Sequence, residues 1–198
     1  MTRRRKKLLI RAIVYGVVAV AAILVLEIAL EFYIAFHGVT SVYLYRLILA
    51  RRHEFGHPKI DVDVVGYFPT TIPPEASNPR FFYWTPPGDV DLELRYVLPP
   101  DEVAALTARV AGMAKMEAQG SDDFDEKIPA ENQVSEPVLR DDDNTGFGKL
   151  PPSFTIYVLG IGHGDKTDIE ASHWTYEYGV AVDPKRSEVI YWMNGHAD

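Results

Sequence analysis

A long apolar run near the amino terminus limits the possible folds of this chain more than any other feature. Residues 8–30 (LLIRAIVYGVVAVAAILVLEIAL) are almost entirely apolar, and they follow five consecutive cations at residues 3–7. A helix needs about 20 mostly apolar residues to cross the hydrocarbon core of a bilayer. The sequence therefore predicts a transmembrane anchor over residues 8–30, preceded by a basic cytoplasmic tail over residues 1–7.

Flanking charge predicts the orientation of this anchor. Six cations lie before or at the start of the run, whereas Arg46, Arg51 and Arg52 lie well beyond it. Because segments rich in lysine and arginine stay in the cytoplasm, we expect a single pass through a bacterial-type inner (plasma) membrane, with the domain periplasmic or extracellular. The apolar sequence continues past the small residues Ala19 and Ala21, which favours a retained anchor over a cleaved signal peptide.

Charge is divided unevenly along the chain. Residues 58–198 carry eleven Lys and Arg against twenty-five Asp and Glu, a net charge of −14 within a total of −8. Such an acidic domain is repelled by phosphate backbones, so we expect no nucleic-acid partner and favour a protein partner or a ligand with cationic character. The chain contains no cysteine, which excludes a disulfide framework.

Residues 31–57 form an amphipathic transition between the anchor and the domain. They are still apolar on average but include Arg46, and no connecting loop separates them from the first run, which argues against a second span. The residues Tyr33, Tyr43 and Tyr45 are amphipathic aromatics, which are common at the level of the lipid head groups. We expect a juxtamembrane helical segment that lies on the membrane or packs on the domain.

The pattern in residues 58–198 favours an α+β domain with an antiparallel sheet of about five strands and one packed helix. Residues 91–98 alternate apolar and polar side chains, which is typical of a half-buried strand. Pro100 and the acids after it predict a helix start, with Gly120 as its C-terminal cap. Residues 121–152 are rich in acids, proline and glycine, which predicts a long mobile loop. Other segments with strand patterns are residues 59–67, 80–85, 153–159, 174–182 and 188–193. Residues 69–79 predict a proline-rich loop, and residues 183–187 predict a hairpin turn between the last two strands.

The sequence His53-Glu54-Phe55-Gly56-His57 fits the pattern H-E-x-x-H. These five residues resemble the zinc-binding helix of zincin metallopeptidases. The resemblance implies that His53 and His57 hold Zn²⁺ and that Glu54 acts as general base on a metal-bound water. Pro58 follows at once, where zincin helices run on, and no third ligand is evident, so a membrane-bound zinc metallopeptidase is kept as an alternative.

A second candidate cation site begins at Asp141. Asp141, Asp143 and Gly146 match the first, third and sixth positions of an EF-hand loop, but Pro152 occupies the twelfth position, where that loop needs glutamate. The alternatives are a weak calcium loop at Asp141–Asp143 and a solvated acidic segment. Apart from these zinc and calcium alternatives, we expect no cofactor.

Two further groups of residues suggest contact with a partner. The strand patterns place many aromatics in the sheet, and one sheet face could be a binding surface formed by Phe82, Trp84, Tyr176, Tyr178 and Trp192. Glu27 and Glu31 lie one helical turn apart near the end of the anchor, where they would contact a partner helix or lie at the interface.

The sequence as a whole indicates a single-pass membrane-anchored protein of the cell envelope. We expect its acidic extracytoplasmic domain to bind a protein partner or a ligand without catalysing a reaction. The alternatives are the zinc metallopeptidase and an accessory structural subunit of a membrane complex, in which the anchor is the functional part.

Overall fold

A computed structural model describes residues 3–37, 39–51, 66–85, 88–120, 138–140, 147–163 and 174–197. The helices are α1 (Arg3–His37), α2 (Tyr45–Arg51) and α3 (Pro100–Ala111), and a short 3-10 helix spans Val42–Leu44. The strands are β1 (Ser77–Trp84), β2 (Asp89–Val97), β3 (Met116–Gln119), β4 (Val138–Arg140), β5 (Phe147–Lys149), β6 (Thr155–His163), β7 (Trp174–Asp183) and β8 (Glu188–Ala197).

Six of these strands form one antiparallel sheet in the order β1-β2-β8-β7-β6-β3, and β4 pairs with β5 in a separate hairpin. The predicted α+β class is therefore confirmed for the described residues. The expected number of strands was too low, because β3 was assigned to the preceding helix and the β4–β5 hairpin to a loop over residues 121–152.

The alternation in β2 decides which side of the sheet holds the main core. Leu92, Leu94 and Tyr96 are buried, whereas the residues between them are only half-buried. Side chains along a strand point alternately to the two faces, so one face of β2 packs into the core. Helix α3 packs on that same face, with Val103 and Leu106 in the same apolar cluster as the β2 residues.

The hairpin between β7 and β8 was predicted correctly, and a buried carboxylate organises its turn. Asp183 accepts hydrogen bonds through Oδ1 from the backbone N–H groups of Lys185 (2.9 Å) and Arg186 (3.2 Å). Its Oδ2 accepts a hydrogen bond from the hydroxyl of Ser153 at 2.6 Å. An aspartate that bonds the backbone two and three residues onward stabilises the turn locally, and Ser153 links that turn to the chain before β6.

Helix α3 begins where expected but ends earlier. Its first turn contains Pro100 and two acids, as the helix dipole favours. It ends at Ala111 and not near Gly120, because residues 116–119 pair with β6 as strand β3. At Gly120 a Cβ would lie 2.4 Å from the carbonyl oxygen of Pro151, so this glycine permits a close backbone approach and does not cap the helix.

Part of the segment after α1 packs on the domain. The helical segment expected over residues 31–57 contains a break, since α1 ends at His37, Val39 forms an antiparallel bridge with Tyr83 of β1, and α2 begins at Tyr45. Tyr45 and Ile48 are buried in the main core. Residues 52–57 lie outside the described residues, as does most of the strand predicted over residues 59–67.

Helix α1 contains the whole of the predicted anchor. Within the described part of the chain, no helix combines the length and apolar character that a membrane span requires.

A methyl group added at Gly179 should destabilise the fold. A Cβ at this position in β7 would lie 2.2 Å from the carbonyl oxygen of Tyr157 and 3.0 Å from the ring of Trp192. We expect Gly179→Ala to lower the free energy of unfolding by about 1–3 kcal/mol, because backbone and an indole must move apart. Denaturant unfolding of the purified protein measures this change.

Gly112→Ala is the matched control for this substitution. Gly112 ends α3 with φ −69°, and a Cβ there would meet nothing closer than 3.6 Å. Its stability should equal that of the wild type or rise slightly. Equal stability losses in the two variants would contradict the close packing inferred at Gly179.

Candidate functional site

A pocket of about 440 Å³ lies on the main-core side of the sheet, between α3 and residues 69–75. This volume falls in the range of about 300–1,000 Å³ that is typical of small-molecule sites. Its wall and floor residues come from four separate parts of the chain: Pro69, Pro73, Glu75, Tyr96, Leu98, Glu102, Ala105, Leu106, Arg109 and Tyr191.

One face of α3 forms the first wall. Glu102, Ala105, Leu106 and Arg109 are spaced three, four and seven residues along the helix, and residues with this spacing share one side. Leu106 is buried, whereas Glu102 and Arg109 are exposed at the rim. The wall therefore presents an acid near the helix start, a base near its end and an apolar surface between them.

Two tyrosines in tilted ring contact form the floor. Tyr96 of β2 and Tyr191 of β8 are both buried, and their ring centroids lie 6.0 Å apart with the planes inclined by 36°. Burial raises the pKa of the Tyr96 phenol well above its usual range, and the neighbouring Tyr191 acts in the same direction, while the charge of Arg109 opposes the shift. The Tyr96 phenol is therefore a neutral group at physiological pH.

A third tyrosine fixes the opposite wall. The hydroxyl of Tyr45 donates a hydrogen bond of 2.5 Å to the carbonyl oxygen of Pro69, and its ring meets Phe81 edge-on at 5.2 Å. Burial raises the pKa of Tyr45, and the neighbouring Tyr191 contributes a smaller shift in the same direction. A neutral phenol that donates to a backbone carbonyl holds the proline-rich wall against the core.

The rim contains three charged side chains that are exposed to solvent, Glu75, Glu102 and Arg109. Within the described part of the chain, none of the three forms an ion pair. Two carboxylates and one guanidinium thus remain available to a ligand. An apolar pocket with charges of both signs at its rim is suited to binding and orienting a small molecule.

The five aromatics predicted to form a binding surface do not lie on one face. Phe82 and Trp84 share a face with Trp192, since Phe82 pairs with Glu93 and Glu93 pairs with Trp192. Tyr176 and Tyr178 lie with the main core on the other face. Phe82, Tyr176 and Trp192 are at most 5% exposed and the other two are half-buried, so the expected exposed aromatic face is not present.

For the other predicted site residues, the structure describes either nothing or only the backbone. His53, Glu54 and His57 lie outside the described residues, as do Asp141–Asp143. Glu27 and Glu31 belong to α1, one turn apart along the helix, and the surroundings of their side chains are not described. Among the described residues, no group of three or more histidine, aspartate or glutamate side chains is placed to hold a metal ion.

The sequence prediction missed the pocket. The proline-rich stretch at residues 69–79 was treated only as a loop, and Glu102 was not placed in a pocket. One detectable signal was present, because Glu102, Ala105 and Arg109 form a second stripe beside the apolar stripe of α3. Which segment faces that stripe is a tertiary property that spacing does not reveal.

Compared with known proteins, the chain matches no family model, no curated protein and no solved structure. The site must therefore be interpreted from its own geometry.

Removing one hydroxyl should loosen the proline-rich wall. We expect Tyr45→Phe to lower the free energy of unfolding by about 1 kcal/mol, because the hydrogen bond to Pro69 is lost and the ring packing is kept. Tyr43→Phe is the matched control, since Tyr43 is 96% exposed and two residues away. Thermal unfolding of both variants measures the difference, and equal midpoints would contradict a structural role for this hydrogen bond.

High pH should destabilise the domain through its buried phenols. Burial raises the pKa of Tyr83 and of Tyr176 from 10.0 to about 12. Their stabilising effect is complete below pH 10, the pKa of the unfolded chain, and is lost as the pH rises towards the folded-state pKa of about 12. Urea unfolding across this interval, followed together with phenolate absorbance, measures the loss.

Tyr176→Phe should make the free energy of unfolding less sensitive to pH over the same interval. If the wild type kept the same free energy of unfolding between pH 10 and pH 12, the inferred burial of these phenols would be wrong.

Proposed function

We propose that this protein is a single-pass, membrane-anchored component of a bacterial-type cell envelope, and that its acidic domain binds a ligand or protein partner outside the cytoplasm. The observation that carries the proposal is the apolar surface of α1. The following side chains of α1 are each at least 52% exposed: Ile13, Val14, Tyr15, Val17, Val18, Val20, Ile23, Leu24, Val25, Leu26 and Ile28.

These side chains surround the helix and do not form a single stripe. Successive residues of a helix are about 100° apart, so the runs Ile13–Val14–Tyr15 and Leu24–Val25–Leu26 each point in three directions. A surface helix of a globular domain would have a polar face. An apolar surface on every side is stable when hydrocarbon or another apolar partner covers it, since its exposure to water costs about 25 cal/mol per Å².

Charge supports the orientation. The cations of residues 3–7 and Arg11 cluster at the amino-terminal end of α1, whereas the domain beyond it is strongly acidic. The excess of Lys and Arg favours a cytoplasmic amino terminus. The bridge between Val39 and Tyr83 then holds the domain close to the opposite membrane surface, because few residues separate it from the end of α1.

The pocket beside α3 supports binding as the role of the domain. Its apolar centre and its charged rim are the features of a ligand site. A second candidate function is an accessory subunit of a membrane complex, which the same apolar surface of α1 favours. In that case a partner helix in contact with Glu27 and Glu31 would cover one side of α1.

Cysteine labelling in intact cells tests the orientation, because the chain has no cysteine of its own. Lys185→Cys places a thiol on the exposed β7–β8 turn, and Thr2→Cys places one in the basic tail. We expect a membrane-impermeant maleimide to label the Lys185→Cys protein in intact cells and the Thr2→Cys protein only after permeabilisation. Both proteins should remain in the membrane pellet after alkaline carbonate extraction.

Wild type, which has no thiol, is the control for background labelling. Release of the protein by carbonate would overturn the anchor, and labelling of the Thr2→Cys protein alone in intact cells would overturn the orientation. The accessory subunit would be favoured if one membrane protein co-purified with the wild type. This co-purification should be lost when the order of the apolar residues in α1 is changed and the mean hydropathy is kept.

A further inference from the structure

We infer that the pocket between α3 and residues 69–75 binds a short peptide of two or three residues by both of its charged ends. The peptide carboxylate lies on Arg109, its ammonium group lies on Glu102, and its apolar side chains occupy the space between them. This inference rests on the proposal that the domain is a binding module, and it names the ligand class of that module.

The spacing of the two charges selects the length of the ligand. Glu102 and Arg109 are seven residues apart on α3, which places their Cα atoms about 10 Å apart along the helix axis. The ammonium and carboxylate groups of a free amino acid share one carbon, so a peptide matches this separation better. An extended peptide spans about 3.5 Å per residue, so two residues reach about 7 Å and three about 10 Å.

The charges at the rim select a ligand that carries both signs. A purely cationic ligand would leave the Arg109 guanidinium without a partner and close to a second cation. A purely anionic ligand would meet Glu75 and Glu102, and the acidic domain as a whole repels it. A zwitterion satisfies the guanidinium, which binds carboxylates through two parallel hydrogen bonds, and at least one of the two glutamates.

The centre of the pocket selects apolar side chains. Ala105 and Leu106 lie between the two charges on α3, and Leu98, Pro69 and Tyr96 also line the pocket. Proline rings and aromatic faces present rigid apolar surfaces, which lose little conformational entropy when a ligand binds. Aliphatic and aromatic residues in the peptide therefore fit better than polar ones.

Titration calorimetry with the full-length protein in detergent micelles tests the inference. The probes are leucyl-phenylalanine and alanyl-leucyl-phenylalanine, each in its free form, with an acetylated amino end and with an amidated carboxyl end. We expect at least one free peptide to bind with a dissociation constant below about 1 mM, and each blocked form to bind at least tenfold more weakly.

Variants assign the two ends of the peptide to their partners. Arg109→Gln should bind the free peptide at least tenfold more weakly than wild type does. It should bind the amidated peptide no more weakly than wild type does. Glu102→Gln should likewise bind the free peptide at least tenfold more weakly than wild type does, and should bind the acetylated peptide no more weakly than wild type does. Such non-additivity indicates a direct contact between the two altered groups.

Asp101→Asn is the matched control for Glu102→Gln. Asp101 lies in the same first turn of α3 and is exposed but does not line the pocket, so both variants remove one acid from the helix start. Asp101→Asn should leave peptide binding unchanged, and thermal unfolding should be similar for the two variants. If both variants weakened peptide binding equally, the effect would be one of overall charge, and the assignment of the peptide ammonium group to Glu102 would be overturned.

Two other results would overturn the inference. One is the absence of heat from both free peptides with folded wild-type protein, and the other is equal affinity for free and blocked peptides. Because the measurement is made in micelles, it does not depend on membrane orientation, so a negative result here leaves the proposed anchor and its labelling test unaffected.

Discussion

Two backbone hydrogen bonds between Val39 and Tyr83 hold the end of α1 to the edge of the sheet. The N–H of Val39 donates to the carbonyl oxygen of Tyr83 at 2.6 Å, and the N–H of Tyr83 donates to that of Val39 at 2.9 Å. An edge strand presents unpaired backbone groups that invite association with other chains. Here the chain itself occupies part of the β1 edge, and the position of the following residues depends on it.

The pocket wall depends on this attachment. Six residues after Val39, Tyr45 is buried and donates its hydroxyl hydrogen to Pro69. A buried hydroxyl needs a partner, and the carbonyl of a loop needs a fixed donor if the loop is to form a wall. The segment that leaves α1 thus positions residues 69–75 opposite α3. The pairing at the sheet edge and the pocket wall therefore both depend on one short connection.

Sequence patterns correctly predicted the elements that are determined by residues close to one another in the chain. The alternation in β2, the proline and acids at the start of α3 and the Asp183 turn all act within a few residues, and each was identified. The end of α3 was missed because Met113 continued the apolar stripe in sequence, although the side chain is exposed, and because the pairing of β3 with β6 is a long-range contact. Strand β3 has only four residues, too few to show a period.

The predicted aromatic surface failed because sequence alone does not reveal which face of the sheet each aromatic occupies. Adjacent aromatics such as Phe81 and Phe82 point to opposite faces, and the register between β7 and β8 puts Gly179, not a tyrosine, opposite Trp192. A glycine is required there because the Trp192 ring fills the space that a Cβ at Gly179 would enter. Tyr176 and Trp192 therefore belong to separate packed clusters.

The acidic charge of the domain and the single guanidinium at the pocket rim have different consequences for the ligand proposed above. The net charge of −14 on residues 58–198 attracts any cation over a distance of about one Debye length, roughly 8 Å in physiological salt. That field exerts no net attraction on a zwitterion, whose charges cancel, so it does not speed the encounter with the proposed peptide. Arg109 acts at contact, since it repels a second cation and binds a carboxylate. In the proposed site, one base therefore supplies the specificity.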